Sequence, residues 1–149
     1  MKVQIPVSQK SVSDVAHALL GIPYKHLGRK IETGLDCFGL VAEFYRRIGA
    51  PIDDVLLNLA YVHDWFVRDD LFQRYVPKIF RRIGDLNKLR LADVVTMQVE
   101  AHVANHLAIF IGDGFLLNTS ERVGVHRLRL FVVWQKIASA YRHEEVVVT

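Results

Sequence analysis

The sequence predicts an α+β fold in one domain spanning residues 1–149, with N-terminal helices packed on a C-terminal antiparallel sheet. Three observations carry this. The first third of the chain holds two helical periodicities, and the last third is a series of short β-branched runs. Helices that precede strands, rather than alternating with them, give the α+β order. At 149 residues, 51% hydrophobic and 23% charged, the chain has the size and texture of a single globular core.

From Ser11 to Leu20, the residues Val15, Ala16, Leu19 and Leu20 recur at helical spacing, and Gly21 with Pro23 supplies the stop. A loop rich in Gly and Lys, Tyr24 to Gly34, leads to a second helix, in which Leu40, Val41, Phe44, Tyr45 and Ile48 share a face. Asp36 is its expected N-cap, and Gly49 with Pro51 closes its far end. Pro51 to Lys88, rich in aromatic and charged residues, reads as a mostly helical insertion beside the core. Its aromatics, Trp65, Phe66 and Phe72 among them, are more than a plain connection needs, so it is expected either to cover one side of a cleft or to add a helical layer that only enlarges the core. Strands are predicted at Asp93–Val99, His106–Ile111, Phe115–Asn118, Gly124–Leu130 and Ala140–Val148.

Composition narrows the function classes. A net charge of +3 from 19 basic and 16 acidic residues attracts anionic polymers only weakly. No basic run is interleaved with stacking aromatics, so nucleic acid is not an expected partner. No apolar run is long enough for a membrane span. The opening residues Met1 to Pro6 lack the apolar stretch and cleavage site of a secretory signal, which predicts a protein that is cytoplasmic when made.

A single cysteine, Cys37, excludes an internal disulfide. By position alone a lone cysteine is more often an inert core thiol. Cys37, however, begins the second helix, where unpaired backbone N–H groups and the positive end of the macrodipole favour a thiolate. The expectation is an activated sulfur with a thiol pKa below that of free cysteine.

The words around it are informative. Gly21-Ile22-Pro23-Tyr24 and Gly34-Leu35-Asp36-Cys37-Phe38-Gly39-Leu40-Val41 resemble, in order and spacing, the nucleophile region of the NlpC family of papain-like peptidases. Leu91-Ala92-Asp93-Val94-Val95 is similar to the family's Gly-Asp strand, with Ala92 in place of the usual Gly. The segment His106 to Gly114 resembles the strand that bears the catalytic histidine, and Asn118 falls where the family has a third polar residue. The resemblance implies a papain-like fold, with Cys37 as nucleophile, His106 as base and Asn118 orienting the ring. It also implies that the Cys37 backbone N–H and the Tyr24 hydroxyl lie near the developing oxyanion, and that Asp36 and Phe38 are on the substrate side of the nucleophile. Such residue types suit amide cleavage: a thiolate attacks the carbonyl, an imidazole moves the proton to the leaving amine, and an amide side chain holds the ring.

Departures from the family also matter. Phe38 stands where many members have a Ser that helps to receive a free peptide amine, Leu27 replaces a usual Gly, and His26 a frequent Trp. A bulky residue at position 38, and the ending from Trp134 to His143, resemble the phage-associated branch, which implies a peptidoglycan stem peptide as substrate and phage tail proteins as partners. Two other readings stay open: a tail-assembly or structural module that keeps the fold, and a thiol amidase or acyltransferase acting on a small molecule.

No cofactor or metal is expected. His102 and His106 are four apart, but Val103 stands where a zinc protease has its Glu, and on a strand the two rings would lie about 13 Å apart. His26, His63, His102, His126 and His143 read as surface or loop residues. Hairpin register favours Asn118 over His126 as the third residue. A three-residue loop, Gly112-Asp113-Gly114, pairs Ile111 with Phe115 and Ala108 with Asn118, placing Asn118 diagonal to His106, whereas a two-residue Asp113-Gly114 turn would put it on the other face. His126 lies beyond the polar turn from Thr119 to Gly124, and nothing local fixes its face.

Overall fold

The computed structural model describes residues 3–52, 59–61, 65 and 71–149. Helix α1 (Gln9–Leu19) begins two residues before the apolar periodicity, because its cap lies in the polar turn ahead of the stripe. The Ser8 hydroxyl accepts from the Ser11 N–H at 3.1 Å, and the Ser11 hydroxyl accepts from the Ser8 N–H at 2.9 Å. A small hairpin, β2 (Arg29–Lys30) and β3 (Gly34–Leu35), then delivers the chain to α2 (Cys37–Arg47). Every residue of α2 from Cys37 to Tyr45 is buried, which explains an apolar character running most of the way round the helix. Glu43 is the exception in kind. Its carboxylate receives Arg46 and Arg47, and these partners hold its pKa below the ordinary value.

In the described part of the Pro51–Lys88 segment, helix α3 (Leu71–Ile79) is followed by strand β4 (Arg81–Ile83) and a single 3₁₀ turn. Residues 53–58, 62–64 and 66–70 of this segment, Phe66 among them, lie outside the described residues. Strand β4 is not expected in a segment that reads as mostly helical, and it joins the end of that segment to the main sheet. That sheet runs β4-β9-β5-β6-β7-β8, with β5 (Val94–Met97), β6 (His106–Gly112), β7 (Phe115–Ser120), β8 (Gly124–Arg129) and β9 (Ile137–Arg142). Every described pairing within it is antiparallel.

The expected last strand, Ala140–Val148, is two strands. A turn centred on His143, whose Nδ1 accepts from the Glu145 N–H, redirects the chain into β10 (Val146–Val148). There β10 pairs in parallel with β1 (Ile5–Val7), so the two ends of the described chain close on each other. A β-branched run announces a strand but does not say which partner it will find.

The sheet is covered on both faces. Val94, Leu107, Ile109 and Leu117 face the main core with α1 and α2, while Val95, Ala108, Leu116 and Ala140 face a second cluster under Leu86, Leu89, Leu130 and Val133. Two buried faces turn strict alternation into continuous apolar runs, as in Leu107-Ala108-Ile109-Phe110-Ile111.

Two positions where the family resemblance calls for glycine have left-handed backbone: Leu27 at φ 60° and Ala92 at φ 72°. An L side chain there costs about 1–2 kcal/mol. The Ala92 site is nonetheless held firmly, for its carbonyl accepts from the buried Tyr45 hydroxyl of α2 and its N–H donates to Phe110 O at 2.8 Å. We expect Ala92→Gly to stabilise the protein by about 1 kcal/mol, the strain relieved less the entropy that glycine adds to the unfolded chain. A denaturant midpoint unchanged or lowered would show that the position is not strained.

Next to it, Asp93 anchors β5 to β9 by receiving Arg142 Nε at 3.0 Å and Nη2 at 2.9 Å. Burial pushes the Asp93 carboxyl pKa up despite this partner, an instance of desolvation outweighing pairing.

Candidate active site

The N-terminus of α2 is held against the preceding loop by Asp36. One of its oxygens accepts from the Gly39 N–H at 2.9 Å, the expected N-cap bond, and from Arg29 Nη1 at 2.7 Å. The other accepts from the Leu27 N–H at 3.0 Å and from the Tyr61 hydroxyl. At 2% exposure, this carboxylate is supplied from within the protein on both oxygens. Gly39 is needed because the loop comes so near: a Cβ there would lie 2.0 Å from the Gly28 carbonyl oxygen.

With the helix so placed, Cys37 sits at the floor of a cleft of about 380 Å³. Backbone N–H groups of Leu107 and Phe38 reach its sulfur, so the nucleophile candidate touches the strand residue immediately after His106. Tyr24, His106 and Asn118 line the same cleft. The structure therefore brings together all four residues that the sequence offered for catalysis. Phe38 and Asp36 border it too, but the Phe38 ring is turned into the protein, 4.9 Å from the ring of Phe72 and 5.2 Å from that of Tyr61. Tyr61 and Trp65 of the Pro51–Lys88 segment also line the cleft, and Phe72 packs behind them.

The register explains the meeting of His106 and Asn118. Ile109 pairs with Leu117 and Phe110 with Leu116, which continues to Ala108 opposite Asn118. The turn differs from the expected one. Gly112, not Ile111, pairs with Phe115 across a two-residue turn in which Asp113 (φ 53°) and Gly114 (φ 78°) are both left-handed. A bulge at Ile111 shifts the register by one and restores the face that such a turn alone would have reversed. The carbonyl of Ile111 accepts from Gln9 Nε2 of α1 at 2.8 Å. No local signal marks a bulge whose partner is a helix about a hundred residues away.

His106 Nε2 donates to Asn118 Oδ1. In the neutral ring this leaves Nδ1 as the basic nitrogen. His126, expected at the surface or in a loop, is half-buried within the strand predicted at Gly124–Leu130. It lies on β8, paired directly with Asn118, with its Nε2 3.5 Å from Asn118 Nδ2 and its Nδ1 donating to Gly124 O at 2.8 Å. Counting back from a three-residue turn at Glu121–Val123 was the signal that would have found it. For Arg29 and Tyr61 the sequence held none.

His102 lies on a different surface, a cavity shared with Arg82 and Ser139, and β6 begins only at His106, so the strand-spacing argument against a shared metal does not apply there. Among the described residues no group of three His, Cys, Asp or Glu side chains is placed to hold a metal ion. No helix among them is long and apolar enough to cross a membrane.

The electrostatics correct one expectation. Burial, followed by the charge of Asp36, pushes the Cys37 thiol up to about 12 rather than down. A helix N-terminus is worth up to about 2 kcal/mol to a thiolate, or roughly 1.5 pKa units, whereas full burial shifts a group by up to about 3–5 units. Burial also lowers the His106 pKa, against the bond to Asn118. Burial thus disfavours the charged form of both groups. Tyr24 is likewise raised to about 12 by burial and the neighbouring Cys37, and keeps its proton as a donor. The rate of Cys37 alkylation by a small neutral electrophile should accordingly rise with pH and have its midpoint above the free-cysteine value of about 8.5. A plateau reached near neutrality would mean that an ion pair with His106 already exists.

The fold has solved relatives. An NlpC/P60 family protein of the lipoprotein type from Staphylococcus aureus superposes with a TM-score of 0.63 at 17% identity, covering 91% of this chain and 41% of that one. For the NlpC/p60 domain of the peptidoglycan hydrolase SagA the values are 0.59 and 19%, with 91% and 98% covered. For RipD of Mycobacterium tuberculosis, described as a non-catalytic NlpC/p60 domain protein adapted to peptidoglycan binding, they are 0.60 and 14%, with 91% and 96% covered. The chain spans about two fifths of the Staphylococcus protein and of a Bacillus cereus relative, 41% and 40% of their lengths. No curated protein matches the sequence. The family profile for NlpC/P60 matches residues 21–143, a stretch that contains the Asp36-Cys37 helix start, the His106 strand and Asn118. On that match and that fold, the chain belongs to the NlpC/P60 family.

Proposed function

We propose that this protein is a cysteine peptidase that cleaves amide bonds in the stem peptides of peptidoglycan. The observation that carries the reading is the convergence of a helix-start cysteine, a histidine hydrogen-bonded to an asparagine, and a tyrosine hydroxyl in one cleft. His106 Nδ1 takes the thiol proton as the Cys37 sulfur attacks the carbonyl carbon. The oxyanion is met by the Cys37 N–H and the Tyr24 hydroxyl. The imidazolium then protonates the leaving amine as the C–N bond breaks, and water releases the acyl group by the reverse proton path. Asn118 Oδ1 holds the ring and favours the imidazolium. The substrate class comes from the family, whose members are usually peptidoglycan hydrolases.

A phage-tail setting is read from Phe38 and the Trp134–His143 ending; copurification with tail particles is its test. A second reading, a peptidoglycan-binding module without turnover, draws support from the burial that keeps the Cys37 thiol neutral. Digestion of purified muropeptides with mass analysis of the products separates the two. New amines and carboxylates at one stem-peptide bond are expected, and binding without any product would remove the peptidase reading.

A further inference from the structure

His126 stands opposite Asn118 in the β7/β8 register, so the two side chains rise on the same face of the sheet. Its Nδ1–H donates to the Gly124 carbonyl at 2.8 Å. With the proton there, Nε2 of the neutral ring carries a lone pair, and it is this atom that faces Asn118 Nδ2 at 3.5 Å. An amide whose nitrogen is committed to His126 has only its oxygen left for His106. That oxygen accepts and never donates, so the His106 proton must be on Nε2. The donors therefore run in one direction, from His106 through Asn118 and His126 to a backbone carbonyl that is not free to change its role. Without an acceptor at position 126, the Asn118 amide has no reason to prefer this orientation. When flipped, it offers N–H to His106 Nε2 and moves the ring proton to Nδ1, the nitrogen that must be free to receive the thiol proton.

We propose that His126 is a positioning residue, which fixes the orientation of the Asn118 amide and through it the tautomer of His106. The assignment of Nδ1 as the working base rests on the peptidase reading; the tautomer does not.

The test uses the whole chain with ¹⁵N-labelled histidine rings, read by long-range ¹H–¹⁵N correlation near about pH 8, where ordinary imidazoles are neutral. The wild-type protein should hold His106 as the Nε2–H tautomer and His126 as the Nδ1–H tautomer. In His126→Phe, His106 should become a tautomer mixture, and kcat on muropeptides should fall roughly tenfold, part of the about 10²–10⁴ that a positioned acid–base group supplies, with KM nearly unchanged. His126→Gln, whose amide oxygen can accept from Asn118, should restore both. A wild-type His106 with its proton on Nδ1, or an unchanged His106 tautomer in His126→Phe, would overturn the proposal. Should His126→Phe not fold, the wild-type assignments and His126→Gln still decide it. A protein with no turnover at all refutes the peptidase reading while leaving the spectroscopic result to judge His126.

Discussion

Cys37→Ala should lower muropeptide cleavage by roughly 10³-fold or more, because the sulfur that takes the acyl group is gone and what remains is binding and oxyanion stabilisation. The fold should survive. The substitution removes one sulfur atom at the rim of α2, leaves the Asp36 cap and the helix backbone intact, and also removes a group whose ionised form the site disfavours. Circular dichroism and a denaturation midpoint close to wild type would show that the loss is chemical. His106→Ala should cost a comparable factor, since a buried neutral thiol depends on the imidazole to accept its proton. Digestion that persists in Cys37→Ala would sink the nucleophile assignment and with it the mechanism.

Asp36→Ala carries the largest expected effect on stability, about 3–5 kcal/mol. The cap bond to Gly39 accounts for about 1 kcal/mol. The rest comes from Arg29, only 15% exposed at its side chain, which loses the carboxylate that offsets its burial, and from the Leu27 N–H and Tyr61 hydroxyl, which lose their acceptor. Removing both charges should hurt less than removing one, so Asp36→Ala with Arg29→Met should recover part of the loss. Urea titrations at constant slope would measure both. A cost below about 1 kcal/mol in the single variant would mean that the Asp36 contacts are not holding the helix start. Since Tyr61 reaches Asp36, the same variant tests whether the Pro51–Lys88 segment depends on this carboxylate for its place beside the cleft.

Much of this molecule is determined by sequence alone. The spacing of Leu40, Val41, Phe44 and Tyr45 requires a helix, Asp36 has the side chain to cap it, and Cys37 then falls on its first turn whatever the rest of the chain does. Short β-branched runs after residue 93 require strands, and helices before strands give the α+β class. These are local properties, set by steric preference and by periodicity within a few residues. What the tertiary structure decided are matters of partner and environment. The face of Asn118 depends on a bulge at Ile111 whose carbonyl is met by Gln9 of α1, and the role of His126 depends on the β7/β8 pairing. The parallel closure of β1 on β10 and the joining of β4 to the sheet unite segments far apart in the chain. The direction of the Cys37 shift was misread from sequence for the same reason. A helix dipole is written in a few adjacent residues, but burial is the sum of everything that packs around the sulfur, and it outweighs the dipole.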